Sequence, residues 1–482
     1  MFYRLLMGFA ERVLPLLYTP TIGTVCQRYF HLPITSHGVW LDATMDQDTM
    51  LHALRAHPLA AHVRVVVVTD GQRVLGLGDL GAGGMGICEG KSLLYTVAAA
   101  VPPHTILPVM LDVGTDNKAL REDACYRGMR QPRLHGDAHT AVIDAFMAVL
   151  ARWKPHVLVQ FEDFGNATAF RMLKEYGTRA CCFNDDIQGT ACVALAVLLA
   201  ASREASVSFA ERPVLFLGAG EAGTGIADLL SLHLVDAHGL TPEQARRQCV
   251  FLDSKGLVCS QRLRSLQSHK RPYAHTNMPP CASLLEAVRT LRPAALVGVS
   301  TQAGAFDQQV LQAMAEVNAR PIVLPLSNPT ACAESTYSDA LAATDGRVLF
   351  ASGSPFAPVT HNGQRYVPDQ ANNAYVFPAI GHAAVLTTAR IIPDDLFLQV
   401  ARALSSIAPP GRLLPRFGAV LEASAYLMAA ACKRLVEQGV GRYPDDFELV
   451  VADWRLQGRA GDAWEAYCRS RIGRRGVVAA CM

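Results

Sequence analysis

The chain has 482 residues, 50% of them hydrophobic and 18% charged, with 44 Lys plus Arg against 42 Asp plus Glu. Such a chain folds as about two to four domains with ample buried core. Near-balanced charge without a long basic run excludes nucleic acid as an expected partner. No uninterrupted apolar run reaches membrane-spanning length, the best candidate at 95–111 being broken by Pro102, Pro103 and His104. Thirteen cysteines with neither CxxC nor zinc-type spacing read as reduced, buried thiols and a cytoplasmic location, an organelle remaining open.

Residues 1–36 read as a helix followed by a turn-rich segment around Tyr18, which by itself is a turn residue with a packed ring. Residues 63–69 are a β-branched run typical of a buried strand, and Asp70-Gly71 is a hairpin signal leading to Arg73. Gly76-Leu-Gly-Asp-Leu-Gly81 is formally GxGxxG. Gly83, Gly84 and Gly86 extend it, however, and no acid-tipped strand follows at the usual distance, so it reads as a close-approach loop. From 87 to 100 the pattern is helical, with Lys91 in the first turn or two. The positive end of a helix disfavours an ammonium, so a buried Lys91 is expected to have a lowered pKa and to be capable of acting as a base near neutrality. The alternative is a surface lysine whose stem lies along the protein. A strand at 106–113, a polar segment at 117–135 and a helix at 138–152 follow.

The β-favouring run 156–161 ends in Glu162-Asp163, apolar residues recur at mainly helical spacing over 167–176, and the run 179–183 ends in Asn184-Asp185-Asp186. In a parallel βαβ unit both strand exits open on one edge of the sheet. Glu162, Asp163, Asp185 and Asp186 are therefore expected to converge, which requires either a cation or retained protons. With no thiolate or imidazole at comparable spacing, the favoured ion is a hard divalent one, Mg2+ or Mn2+. The alternative makes these acids helix caps and solvated loop residues.

A second GxGxxG, at Gly218, Gly220 and Gly223, lies between a buried strand at 213–217 and a helical run, the context that lets backbone approach a pyrophosphate. The next strand, 249–252, ends in Asp253-Ser254-Lys255. Asp253 favours the free ribose hydroxyl of NAD. Ser254, Lys255 and either Lys270 or Arg271 favour the 2′-phosphate of NADP, and the basic set carries more weight. Strands at 295–299 and 322–326 complete a doubly wound sheet. Beyond residue 387 the chain is helical, with an Arg-rich solvated face at 469–475.

Taken together, these segments closely resemble the malic enzyme family. The match lies in YTPTIG at 18–23, TDGQRVLGLGDLG at 69–81, LPVMLDVGTDN at 107–117, QFEDF at 160–164, FNDDIQGTA at 183–191, FLGAGEAG at 216–223, SNPT at 327–330, FASGSPF at 350–356 and NNAYVFP at 372–378, collinear over nearly the whole chain. The resemblance implies oxidative decarboxylation of L-malate to pyruvate and CO2 with Mn2+ or Mg2+ and NADP, in a homodimer or homotetramer. It implies Glu162, Asp163 and Asp186 as metal ligands, Asp185 as the partner of Lys91, and Lys91 as general base. It further implies Tyr18 as general acid, Arg73 as a carboxylate clamp, and Asn328 and Asn373 as substrate-contacting amides, Asn328 lying also beside the cofactor. Successive strand residues face opposite ways, which suits separate roles for Asp185 and Asp186. By the same rule Glu162 and Asp163 share an ion only if the chain has left the pleat.

The fold implied is α/β: a Rossmann-type doubly wound dinucleotide domain (186–372) inserted into a discontinuous α/β substrate and metal domain (37–185 and 373–445). A short helical N-terminal segment (1–36) and a helical C-terminal tail (446–482) complete it. Two departures stand out: a shorter segment before Phe2 than family members usually have, and Cys88-Glu89 where Pro and an apolar residue are usual. A pair two apart on a helix does not face one way, so Glu89 is expected to leave Lys91 undisturbed. Two other readings compete, an NAD-linked malic or malolactic-type enzyme and an inactive family member serving as an interaction or regulatory subunit.

Overall fold

Four consecutive valines, Val65–Val68, stiff at χ1 and fully buried, form the middle of a parallel sheet whose two faces are covered by helices. The structure, a computed structural model, describes residues 21–276, 278, 281, 283–457 and 461–473, and residues 3, 6, 9, 13 and 16–18 before them. The chain forms two compact units, one of 1–186, 374–396 and 416–482 and one of 187–373 and 397–415.

In the first unit, strands β1 (Val39–Asp42), β2 (Val65–Thr69), β3 (Ile106–Asp112), β4 (Leu158–Phe161) and β5 (Cys182–Asn184) pair in parallel in the order β1-β3-β2-β4-β5. Helix Gln47–Ala56 packs with helix Gly136–Trp153, and helix Met85–Ala99 packs with helices Phe377–Leu386 and Val420–Glu437. Because β2 has β3 on one side and β4 on the other, the chain reverses its direction of travel across the sheet there. Such a reversal opens a crevice at the carboxyl ends of the strands.

In the second unit, β6 (Val214–Leu217), β7 (Cys249–Asp253), β8 (Gly256–Leu257), β9 (Ala295–Gly298), β10 (Ile322–Pro325), β11 (Leu349–Ser352) and β14 (Asp369–Gln370) form a seven-stranded sheet in the order β14-β11-β10-β9-β6-β7-β8. Only the short β8 runs antiparallel to its neighbour, and β12 (Val359–His361) and β13 (Gln364–Tyr366) make a separate hairpin. The strand order reverses between β6 and β9, the switch point of a doubly wound sheet. The core beneath it comprises Leu215, Val250, Leu296 and Val323 from the strands and Leu311, Met314 and Leu341 from the covering helices.

Three sequence expectations change. Asp70-Gly71 makes no hairpin: Asp70 is buried and pairs with Arg133 at 3.2 Å and His139 at 2.8 Å, while the chain turns into a 3-10 segment at Val74–Gly76. The returning segment is divided, since 397–415 belongs with the second unit. There Arg203 donates to the Ser405 carbonyl at 2.6 Å, and Asp369 accepts from the Leu413 amide at 2.9 Å. No separate tail begins at 446, because helix Ala463–Ile472 packs on Val420–Glu437 within the first unit. The stretch Asp185–Ala205 is long and apolar enough to cross a membrane by length and composition, yet most of it is buried inside the protein.

His382, buried on helix Phe377–Leu386, lies 2.7 Å from the Ala99 carbonyl through Nδ1, and burial pushes its pKa down to about 4. Between its unfolded value of about 6.5 and that folded value, only the unfolded chain takes up the proton. Stability from this group is therefore complete above about pH 6.5 and declines as pH falls through that window. His382→Asn retains an N–H for Ala99 without titrating. Urea unfolding of the two chains should show wild type losing about 2 kcal/mol more than the variant between about pH 7 and about pH 5.

Candidate active site

The β4–β5 register pairs Phe161 with Asn184, so Glu162 and Asp185 leave the ladder side by side. Lys91, the seventh residue of helix Met85–Ala99, reaches both: its Nζ lies 2.5 Å from Asp185 Oδ2 and 2.8 Å from Glu162 Oε1, with all three side chains at 1% exposure or less. Gln160 Nε2 donates to the other Glu162 oxygen at 2.9 Å. The rings of Phe377 and Tyr18 stand 4.7 and 5.2 Å from Nζ. Burial raises the pKa of Tyr18 and keeps its hydroxyl protonated.

Asp163 adopts φ +53°, a left-handed conformation that costs about 1 kcal/mol and takes the chain out of the pleat immediately after Glu162. Its amide donates to Asp186 Oδ2 at 2.8 Å. Asp185 and Asp186 begin a π-helical turn, Asp185–Gly189, so they diverge because of that turn and not through strand alternation. The result is one carboxylate facing Lys91 and another facing Asp163. Oxygens of Glu162, Asp163 and Asp186 lie within 4.8 Å of one another, and three carboxylate oxygens are the donor set that a hard dication takes.

The electrostatics correct the expected neutral lysine. Burial pulls the Lys91 pKa down, but Asp185 and Glu162 outweigh it and hold the ammonium well above the ordinary lysine value. One ammonium does not balance four clustered acids: burial first, then the neighbouring carboxylates, lift Glu162 and Asp186 above the usual acid range against the pull of Lys91. Glu89 turns elsewhere, accepting from Tyr29 Oη at 3.1 Å and Ser36 Oγ at 2.6 Å. Arg73 is exposed at the β2 exit; its amide donates to the Asp163 carbonyl at 3.0 Å and its guanidinium to Asn166 Oδ1.

In the second unit, Gly218 follows β6 with φ +105°, and a Cβ there would lie 2.5 Å from the Val299 carbonyl oxygen. Only glycine suits that turn. Gly220 caps helix Glu221–His238, and Gly223 lies in its first turn. At the β7 exit Asp253 is engaged by Arg262 through two bonds of 2.8 and 2.9 Å and by Lys270 at 3.3 Å. Burial raises the Asp253 pKa, but the Lys255 amide and Arg262 outweigh it and hold the carboxyl below its usual range. Ser254 and Lys255 are exposed beside it. Arg262 was not singled out by sequence reasoning; its signal is its place in the basic SQRLRS segment nine residues after Asp253.

Asn328 accepts from Ser354 Oγ at 2.6 Å, and Asn373 donates to Thr190 Oγ1 at 3.0 Å; both belong to the second unit, whereas Tyr18, Lys91 and the four acids are gathered in the first. Glu334 was also missed. It is fully buried and accepts from Ser300 N at 2.8 Å, Ser300 Oγ at 2.9 Å and Ser327 Oγ at 2.6 Å, joining the exits of β9 and β10. A Cβ on Gly298 would meet its carboxyl carbon at 2.5 Å.

The family described as "Malic enzyme, N-terminal domain" matches residues 1–177, and "Malic enzyme, NAD binding domain" matches 187–436. The chain belongs to the malic enzyme family. It is 41% identical over 456 residues to "NADP-dependent malic enzyme 4, chloroplastic" of Arabidopsis thaliana, covering 93% of this chain and 70% of that one. With the "NADP-dependent malic enzyme" of Vitis vinifera it shares 41% over 457 residues, 93% of this chain and 77% of the relative. The malic enzyme of Pyrococcus horikoshii superposes with a TM-score of 0.62 at 21% identity, covering 97% of this chain and 92% of that one, which establishes the fold. That of Entamoeba histolytica gives 0.61 at 22%, covering 95% and 87%.

The expected cytoplasmic location is overturned by relatives from Arabidopsis thaliana, Zea mays and Flaveria trinervia that carry "chloroplastic" in their names, whereas others from Arabidopsis thaliana and Vitis vinifera carry no location. Reduced thiols specify a reducing environment without specifying the cytoplasm.

In this malic enzyme family chain, Glu334→Ala would leave two serine hydroxyls and an amide without their acceptor, costing about 3 kcal/mol, whereas Glu334→Gln keeps an oxygen and costs about 1 kcal/mol. Urea unfolding followed through the second unit should resolve the two losses.

Proposed function

We propose that the chain catalyses oxidative decarboxylation of L-malate to pyruvate and CO2 with reduction of NADP+, assisted by Mn2+ or Mg2+. The single observation that carries this reading is the Lys91 ammonium between Asp185 and Glu162, beside three carboxylate oxygens that converge within 4.8 Å. Family membership and relatives named NADP-dependent malic enzymes support the reaction and the cofactor.

Glu162, Asp163 and Asp186 are the residues to hold the cation. When bound, the cation would offset the carboxylate field that keeps the proton on Lys91, so that this proton is released to solvent, and would draw electron density from the substrate C2 oxygen, while NADP+ would accept the hydride. Once that proton has left to solvent, the neutral amine of Lys91 takes the proton of the C2 hydroxyl, with Asp185 fixing its Nζ at 2.5 Å. Tyr18, kept protonated by burial, supplies a proton to C3 after the C3–C4 bond has broken. Arg73 holds a substrate carboxylate through parallel hydrogen bonds.

The preference for NADP rests on Asp253. With its oxygens bonded to Arg262 and Lys270, it is poorly suited to a ribose hydroxyl, and the same two cations beside Ser254 suit a 2′-phosphate.

Purified chain supplied with L-malate, NADP+ and Mn2+ should form pyruvate and NADPH, and a chelator should abolish turnover until the cation is restored. Absence of metal-dependent turnover would favour the inactive subunit instead. Lys91→Ala should nearly abolish malate oxidation while NADPH binding, followed by its fluorescence, is retained; persistent oxidation refutes the base assignment. Arg262→Ala should lower kcat/KM for NADP+ by about 10- to 100-fold, the worth of one charge-assisted bond, with NAD+ little affected.

A further inference from the structure

We propose a second metal site in the first unit, built from His31, Asp123 and Cys125 and suited to Zn2+. Donor atoms of the three residues lie within 4.8 Å of one another. His31 Nε2 stands 3.2 Å from Asp123 Oδ2. A tetrahedral zinc ion with bonds of about 2.0–2.3 Å sets its donors about 3.3–3.8 Å apart, so this pair is already near ligand separation.

The three donors are held from two distant segments. His31 closes the 3-10 turn Tyr29–His31, and its amide donates to the Arg28 carbonyl at 2.8 Å. Asp123 uses Oδ1 to accept from the Cys125 amide at 2.9 Å, which leaves Oδ2 facing His31. The Tyr126 amide donates to the Asp123 carbonyl at 3.1 Å, and the ring of Phe30 meets Tyr126 edge-on at 5.3 Å, so the segments are packed together beside the donors.

Solvent-screened pairing accounts for His31 with Asp123, whose side chains are 40% and 30% exposed, but such a pair contributes little and does not call for a thiol. Cys125 is the one exposed cysteine among the described residues. Imidazole, carboxylate and thiolate together make a borderline-soft donor set that zinc accepts and Mg2+ does not, in contrast to the all-oxygen cluster of Glu162, Asp163 and Asp186. Coordination by Cys125 releases its thiol proton, and water completes the shell. The chain spacing carries no zinc signature because one ligand comes from residue 31 and the other two from 123 and 125.

The test uses the full chain, reduced, stripped of metal and then saturated with Mg2+ to fill the oxygen cluster. Co2+ titration should give one site with a near-ultraviolet thiolate-to-cobalt band, and Zn2+ should displace it. Cys125→Ser should remove the band, and His31→Ala and Asp123→Asn should each weaken Zn2+ binding by at least about tenfold. Glu162→Gln should leave the band intact. Cobalt bound without the band, a band surviving Cys125→Ser, or Zn2+ affinity unchanged in both His31→Ala and Asp123→Asn would each overturn the proposal.

Discussion

Four carboxylates and one ammonium at adjoining strand exits set the terms for the first unit. Each acid removed from water carries a desolvation cost of several kcal/mol, which a partner repays only at close range. Lys91 supplies that partner at 2.5 and 2.8 Å, to Asp185 and Glu162 alone. Asp163 and Asp186 lie on the far side, where backbone has been bent to bring them in: a left-handed residue at 163 and a π-helical turn from 185. Neither distortion stabilises the chain by itself. Both are tolerated because the sheet behind them is solid, with β2, β3, β4 and β5 buried at every position.

The second unit meets an acid at a strand exit in the opposite way. Asp253 is satisfied internally by a guanidinium and an ammonium. A carboxylate so engaged is a poor acceptor for a ligand hydroxyl, whereas the cations around it keep donor capacity, since an arginine has five N–H groups and a lysine three. One acidic cluster therefore attracts positive charge, and the other acid, through its partners, presents it. Glu334 shows a third use of a buried acid, in which neutral hydroxyls and amides from two loops share one carboxylate and fix the exits of β9 and β10.

Much of this was legible in the chain. Acids at the ends of 156–161 and 179–183 announce convergence because parallel strands separated by a helix open on one edge. The glycine loop at 218–223 reads correctly because strand, loop and helix follow in order. What was not legible depends on distances that spacing does not encode. Asp70-Gly71 has a hairpin's local signature, yet the partner that decides its fate, Arg133, is far along the chain. Arg262 reaches back to Asp253 through a 3-10 segment that has no periodic pattern. The division of 397–415 from its neighbours in sequence follows from bonds to Arg203 and Asp369, which no composition shift marks.

The charge on Lys91 shows why magnitude has to decide between effects that sequence can only name. A helix N-terminus disfavours a nearby cation by about 0.3–1 kcal/mol, and the effect fades beyond the first turn, whereas Lys91 is the seventh residue of its helix. Two carboxylates within 2.8 Å, in surroundings less polar than water, act several times more strongly. The acids therefore govern the proton on this amine. It follows that whatever engages Glu162 and its neighbours also adjusts the basicity of Lys91, so cation binding and proton abstraction are two expressions of one electrostatic balance.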